Sequence, residues 1–245
     1  MKKTFLTIAA VMLFCMIGMA HADVYVEKSN KSLGDSRSGS KQEWITKMWI
    51  SDSAIRIEES EGEMINIMDF QNMKLITLDS KNKEFFVIPL DQVQKDFVRE
   101  TANLKRRMNL NWRVEEVEGI EEIAGYESKL FRFHGRGDVL QNKKNAEMKI
   151  TMSLWVSDAT PASSATSEHL LEVMGLDKNP FVSEAVLNEL KRIGGFHMKA
   201  IIESEMDGKK QGIEQTVIAM SEIDASRDLY SIPSGYKEVS SPVNR

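Results

Sequence analysis

Residues Trp49–Pro89 read WISDSAIRIEESEGEMINIMDFQNMKLITLDSKNKEFFVIP, and the fold is worked out from this stretch. Apolar runs recur at Ala54–Glu59, Met64–Asp69, Lys74–Asp79 and Glu84–Pro89, separated by the mostly polar connections 60–63, 70–73 and 80–83. Within the first run Ile55 and Ile57 share one face while Arg56 and Glu58 share the other, the period of a half-buried strand. Connections this short join antiparallel neighbours, because parallel strands need crossovers of a dozen residues or more. The stretch is therefore an antiparallel meander. Its last member, Phe85-Phe86-Val87-Ile88, is apolar on both faces, which predicts cover on both sides by helices or loops.

Upstream, Trp44, Thr46, Met48 and Ile50 alternate with Ile45, Lys47, Trp49 and Ser51, a further strand, and Val24–Lys28 forms a short one. Ser29–Lys41, rich in serine with mixed charges, reads as a mobile loop. Downstream the period changes. Leu90, Val93, Phe97, Leu104 and Met108, with Thr101 filling the gap, recur at three- and four-residue steps, predicting an amphipathic helix over Leu90–Leu110. Lys105-Arg106-Arg107 in its last turns complements the helix dipole; a basic rim for anionic headgroups is the sharper alternative.

Strands resume at Trp112–Val117, Tyr126–His134 and Ala146–Val156. In the last, Ala146, Met148, Ile150, Met152, Leu154 and Val156 share one face, with Lys149, Thr151, Ser153 and Trp155 on the other. A Pro/Ser/Thr-rich connector, Asp158–Thr166, leads to two helices, Ser167–Met174 and Ser183–Ile193, the second stopped by Gly194-Gly195. Phe196–Glu205 and Gln211–Ile223 pair as a hairpin around Asp207-Gly208. Leu229-Tyr230-Ser231-Ile232-Pro233 reads as an edge strand stopped by proline. The sum is an α+β domain: a strongly curved antiparallel sheet of about 10–11 strands, with helices covering the concave side.

The first residues, MKKTFLTIAAVMLFCMIGMAHA, have a charged start at Lys2 and Lys3, an apolar run from Phe5 to Met19, and the small-residue pattern Ala20-His21-Ala22. These are the parts of a cleaved secretory signal over 1–22, leaving one domain over 23–245. The apolar run is shorter than the roughly 20 residues a spanning helix needs. Acylation at Cys15 is disfavoured, because Phe14 stands where lipoprotein processing wants a small residue. The mature chain would hold no cysteine, so its core alone would stabilise it. It would keep 30 basic against 37 acidic residues, net −7. That balance argues against nucleic acid, which selects a concentrated basic surface. No other segment approaches membrane-spanning length, so the mature protein is expected to be soluble, and the cleaved signal leads to an expected periplasmic localisation.

Catalytic patterns are sparse. His134, His169 and His197 are far apart and lack the i, i+4 spacing of a helical zinc pair; His134 with Asp138 beside a glycine loop is the only cation candidate. Gly135-x-Gly137 lacks the third glycine of a dinucleotide loop, and Arg136-Gly137-Asp138 reads as a turn. No G-x-S-x-G elbow or P-loop is present. Glu115-Glu116 and Glu121-Glu122 read as solvated faces. Neither an enzyme nor a cofactor is expected. Methionine is the unusual signal, with Met48, Met64, Met68, Met148, Met152, Met198 and Met220 at strand positions. Flexible, polarizable methionines fill gaps in ordinary cores and also suit surfaces that accept several apolar shapes.

The Ala54-Ile55-Arg56-Ile57-Glu58 strand resembles one group of exported bacterial proteins. So do Ile123-Ala124-Gly125-Tyr126 before a long strand pair ending in Leu154-Trp155-Val156, and the closing Ile232-Pro233-Ser234-Gly235-Tyr236. That group is a domain-of-unknown-function branch of the LolA/LolB-like periplasmic lipoprotein-carrier superfamily. The resemblance spans about Trp44 to Tyr236 and implies a half-open β-barrel whose helices lid a hydrophobic cavity. It implies a non-enzymatic carrier or binding protein for a lipid, a lipoprotein acyl chain or another apolar ligand. Met48, Ile50, Phe97, Leu104, Met148, Met152, Met198 and Met220 are the expected lining, and Arg56 an ion-pair or lid contact. The alternative is a cell-envelope interaction protein with a filled core, whose partner is another envelope protein.

Overall fold

The computed structural model describes residues 23–34, 43–59, 63–105, 108–141, 144–162 and 184–241. The strands are β1 (Asp23–Gly34), β2 (Glu43–Ile50), β3 (Ala54–Glu59), β4 (Met64–Asp69), β5 (Lys74–Asp79) and β6 (Glu84–Pro89), then β7 (Met108–Ile123), β8 (Tyr126–Gln141), β9 (Lys144–Ser157), β10 (Phe196–Met206), β11 (Lys209–Ile223) and β12 (Lys237–Glu238). Two helices are described, α1 (Leu90–Lys105) and α2 (Glu184–Ile193), with a 3-10 turn at Arg227–Tyr230. All twelve strands form one open sheet in the order β12-β6-β5-β4-β3-β2-β1-β11-β10-β9-β8-β7. Every pairing is antiparallel except β12 with β6.

Local chemistry explains why the meander is so regular. Two of its turns use the same device: Asp69 Oδ1 accepts from the Asn72 N–H at 2.8 Å, and Asp79 Oδ1 from the Asn82 N–H at 2.9 Å. These side-chain bonds hold the reversal that sets the register of Met68 on Leu75 and of Leu78 on Phe85. At the other end of the chain order, α2 ends on Gly194 and Gly195, both at positive φ. A Cβ on Gly195 would stand 2.7 Å from the Ser157 carbonyl oxygen, so the entry into β10 requires glycine.

The sheet curls at its β7 end. Flat, at about 4.8 Å per strand step, β7 and β11 would lie roughly 19 Å apart; here their Cα atoms come within 8 Å. Lys199 on β10 also reaches Glu121 on β7 at 3.3 Å across two intervening strands. The bend coincides with a bulge in β7 between Val117 and Ile120, where Gly119 adopts φ 118°.

Several expectations are corrected. Ser29–Gly34 belongs to β1 rather than a loop, because Ser29–Lys31 pair with both β2 and β11 and Ser32–Gly34 with β11, which satisfies the backbone despite its polar side chains. The helix stops at Lys105; Met108–Leu110 keep a helical spacing in sequence but pair with β8, opposite Val139 to Gly137. The Gly135–Asp138 segment is strand, so Arg136-Gly137-Asp138 is no turn. The edge strand lies after Pro233, at Lys237–Glu238, while the residues before it form the 3-10 turn. Among the described residues the strand count is twelve rather than ten or eleven. The signal segment 1–22, the loop residues 35–41, Arg106-Arg107 and the Ser167–Met174 helix with His169 lie outside the described residues.

Each face of the sheet carries an apolar cluster. The larger gathers Val24, Val26, Met48, Ile50, Phe131, Phe133, Met152, Leu154, Met198, Ala200 and Val217 from the strands, with Leu90 and Phe97 of α1 and Val186 and Leu190 of α2. We call this the inner face. The smaller is Ile65, Ile67, Ile76 and Leu78, covered by Phe85 and Val87 of β6 and by Tyr230, Ile232 and Tyr236 of the C-terminal tail. The cover expected on both sides of Phe85–Ile88 is met in part: Phe85 and Val87 share the outer cluster with the tail, and all four residues are half-buried.

Candidate ligand-binding face

Strand register brings distant parts of the chain together on the inner face. Met48 and Ile50 of β2 stand opposite Val26 and Val24 of β1, and Val26 stands opposite Met220 of β11. On the curled limb Met152 lies between Phe133 of β8 and Ile202 of β10. Met48, Ile50, Phe97, Met152 and Met198 are all buried in the inner cluster, and Met220 packs against it half-buried. Met148 is half-buried between Gly137 and Met206, outside that cluster. Leu104 lies on α1, with its side chain outside the described set.

A polar group interrupts this apolar surface. The alternation Val24, Val26 continues inward to Lys28 and Asn30, which are 3% and 0% exposed. Asn30 Nδ2 donates to Thr46 Oγ1 at 2.9 Å and to the Trp44 carbonyl at 3.2 Å, while Asn30 Oδ1 accepts from Gln215 Nε2 at 2.6 Å. Lys28 Nζ stands 5.0 Å from the centre of the Phe196 ring. Next to Phe196, His197 is buried; burial first, and then the positive charge of Lys28, push its imidazole down to about 3, so it is neutral at physiological pH. Sequence analysis missed Lys28, Asn30, Thr46, Gln215 and His197 as a group. The available signal was the period-two pattern of β1, which runs on through positions 28 and 30 and points both side chains inward.

Arg56 faces the opposite way. It pairs with Glu58 Oε1 at 2.6 Å, donates from Nη1 to the Leu229 carbonyl at 2.8 Å, and lies 5.8 Å from the Trp49 ring centre. It fastens the tail to the outer face.

The remaining sequence candidates sit apart. His134 Nε2 is 3.3 Å from Glu115 Oε1, a half-exposed contact across β7 and β8, and Arg136 pairs with Glu147 at 2.6 Å. Among the described residues no group of three or more His, Cys, Asp or Glu side chains is placed to hold a metal ion, and no helix is long and apolar enough to cross a membrane. On the inner face a hydrogen-bonded polar group thus lies within an apolar surface.

No family model matches the chain, and no curated protein matches it. Among solved structures it is similar to the LolA superfamily protein NE2245 from Nitrosomonas europaea, at 6% sequence identity and a TM-score of 0.30, covering 91% of this chain and 96% of that one. A TM-score that low superposes neither cavities nor side chains, so the properties of the inner face rest on this chain's own residues.

Proposed function

We propose that the protein is a non-enzymatic periplasmic carrier that holds an acyl chain or another apolar ligand between the inner face of its sheet and the helices laid on that face. The observation that carries this reading is the inner cluster itself. Methionines from β2, β9, β10 and β11 converge there with Phe97 of α1 and Leu190 of α2. Beyond the bond from the Leu90 N–H to the Met73 carbonyl and the Arg192–Glu116 ion pair, the helices meet the sheet through apolar side chains, so an apolar chain can replace part of that contact. Each CH₂ group moved from water into such a surface contributes about 0.8 kcal/mol, enough to bind a long chain without any cofactor. Curling of the β7–β11 limb supports a half-open barrel with the helices as its lid. The complete signal pattern at 1–22 supports export. The order of motifs resembling the lipoprotein-carrier superfamily points to lipid cargo.

Native mass spectrometry of the gently purified exported protein tests the reading. It should show an intact chain starting at Asp23 with a lipid-sized adduct. Delipidated protein should gain Tm as a fatty-acyl ligand is added, because a ligand bound only by the folded state stabilises it. Phe97→Asp should reduce that gain. A second reading, an envelope interaction protein with a filled core, draws on the complete burial of Val26, Phe133, Phe196 and Met198. Neither an adduct nor a Tm gain would favour it and end the carrier reading.

A further inference from the structure

We infer that removal of the signal completes the sheet: the α-ammonium group freed at Asp23 is the cation of a corner built from the Asp23, Asp52 and Asp224 carboxylates and the Tyr230 hydroxyl. This rests on processing between Ala22 and Asp23 and is independent of the carrier reading. Hydrolysis by a signal peptidase adds water across that peptide bond. The Ala22 carbonyl leaves with the signal as a carboxylate. The Asp23 nitrogen, until then an uncharged amide with one N–H, becomes an ammonium with three.

Strand order fixes where that nitrogen lies. β1 is an interior strand of the sheet, paired with β2 on one side and β11 on the other. A chain start ordinarily frays unless something ties it down. Here Asp23 stands opposite Ile223, and the wholly buried Val24 stands opposite Ile50. Antiparallel neighbours run past each other, so each continues beyond the bond that is cut. Asp224 follows Ile223 on the β11 side, and Ser51-Asp52 follow Ile50 on the β2 side. One aspartate therefore flanks the new terminus on each side, and the tail brings Tyr230 to the same corner.

The corner is short of positive charge. Burial pushes the Asp23 carboxyl above its ordinary range, and the charges of Asp52 and Asp224 push it further, with the Tyr230 hydroxyl pulling the other way. That hydroxyl is buried and reaches towards Asp23 and Ser51 without closing a well-formed bond to either. Among the described residues no lysine, arginine or histidine forms an ion pair with Asp23, Asp52 or Asp224. Arg56, which also bears on Tyr230, is engaged by Glu58 at 2.6 Å and by the Leu229 carbonyl. An ammonium between the carboxylates relieves their repulsion and has donors to share with the hydroxyl. Asp52 and Asp224 are exposed, so the gain is modest and weakens with salt. In the unprocessed chain the same nitrogen is neutral and the repulsion stays.

Competitive acetylation of the α-amino group, followed against pH at low salt, tests this on the chain made to start at Asp23. The group should titrate above its ordinary range. At about pH 8 it should react roughly threefold to tenfold more slowly than in the Asp52→Asn/Asp224→Asn double variant. A second comparison needs no substitution: the chain starting at Asp23 against the same chain carrying an added Gly-Ser, which moves the charge outward. The first should have the higher Tm at about pH 7. Its advantage should vanish by about pH 10, because a group whose pKa is raised by folding loses its contribution as pH rises through the folded value. Equal acetylation rates in the parent and the double variant, or a Tm difference that is absent or the same at both pH values, overturn the corner and leave processing at Asp23 standing. An exported protein whose mass places its start elsewhere overturns the processing, and this inference with it, while the carrier reading stands.

Discussion

The two faces of the sheet are covered in different ways. On the outer face, Ile65, Ile67, Ile76 and Leu78 lie under a tail that is hydrogen-bonded into place: Lys237 N–H donates to the Lys83 carbonyl at 2.9 Å, Val239 N–H to the Phe85 carbonyl at 2.8 Å, and Arg56 holds the Leu229 carbonyl. On the inner face, α1 and α2 contribute apolar side chains to the cluster, and two buried polar atoms have no partner among the described residues. A cover paired through backbone bonds unfolds with the sheet. The helices are tied at two points, by the Leu90 N–H to the Met73 carbonyl and by the Arg192–Glu116 pair, and the rest of that cover, held by side-chain packing, can part from the sheet at lower cost. The outer cover is tied along the tail by backbone bonds, and the inner cover rests mainly on apolar side chains.

The contrast can be broken most severely by charging the inner face. Met152 is 8% exposed and Lys149 on the same strand points to solvent. Met152→Asp should cost at least about 4 kcal/mol, from an unpaired buried charge, or prevent folding. Lys149→Asp should change stability little, and equal melting temperatures for the two would show that the inner and outer positions of β9 are misassigned.

Removing the outer cover comes next. Truncation after Ala225 partly uncovers the outer isoleucines and Leu78, against which Phe85 and Val87 still pack, and should lower stability by about 3–5 kcal/mol in urea titration, less than the roughly 1.5–3 kcal/mol per side chain of full exposure. Ligand-induced stabilisation should persist in the truncated protein if the faces are independent. Its loss would join them.

Acid should act from the inner side. His197 is held neutral with a pKa of about 3 against an ordinary 6.5. Its contribution is therefore complete above pH 6.5 and is lost as pH falls towards 3, because protons bind the unfolded chain first. Between pH 6 and 5 stability should fall by about 1 kcal/mol from this residue alone. His197→Gln should flatten that part of the profile, and an unchanged slope would remove the ring from the account.

The smallest effect is expected at the clasp. Arg56→Met keeps the aliphatic packing but loses the Glu58 pair and the bond to Leu229, and should cost about 1–3 kcal/mol. Ligand affinity should not move, since the side chain lies on the outer face. A change in affinity with unchanged stability would instead make Arg56 part of the inner site.

The sequence by itself determined the meander. Ala54–Glu59, Met64–Asp69, Lys74–Asp79 and Glu84–Pro89 are strands in the structure with the same bounds, because alternation and Asp/Asn turns are local signals. It also determined the start of α1 and the inward residues of β9, since both follow from periodicity. It did not determine where α1 ends, because Met108 and Leu110 fit a helix locally and only pairing with β8 draws them into a strand. Nor did it show that Ser29–Gly34 is a strand, because polar residues join a sheet when neighbours on both sides satisfy their backbone. The polar group within the apolar face belongs wholly to tertiary structure. Asn30 and Gln215 stand 185 positions apart in the chain, and strand order alone makes them neighbours. The outer cover was decided there too, since Arg56 meets the Leu229 carbonyl only after the tail has crossed the finished sheet.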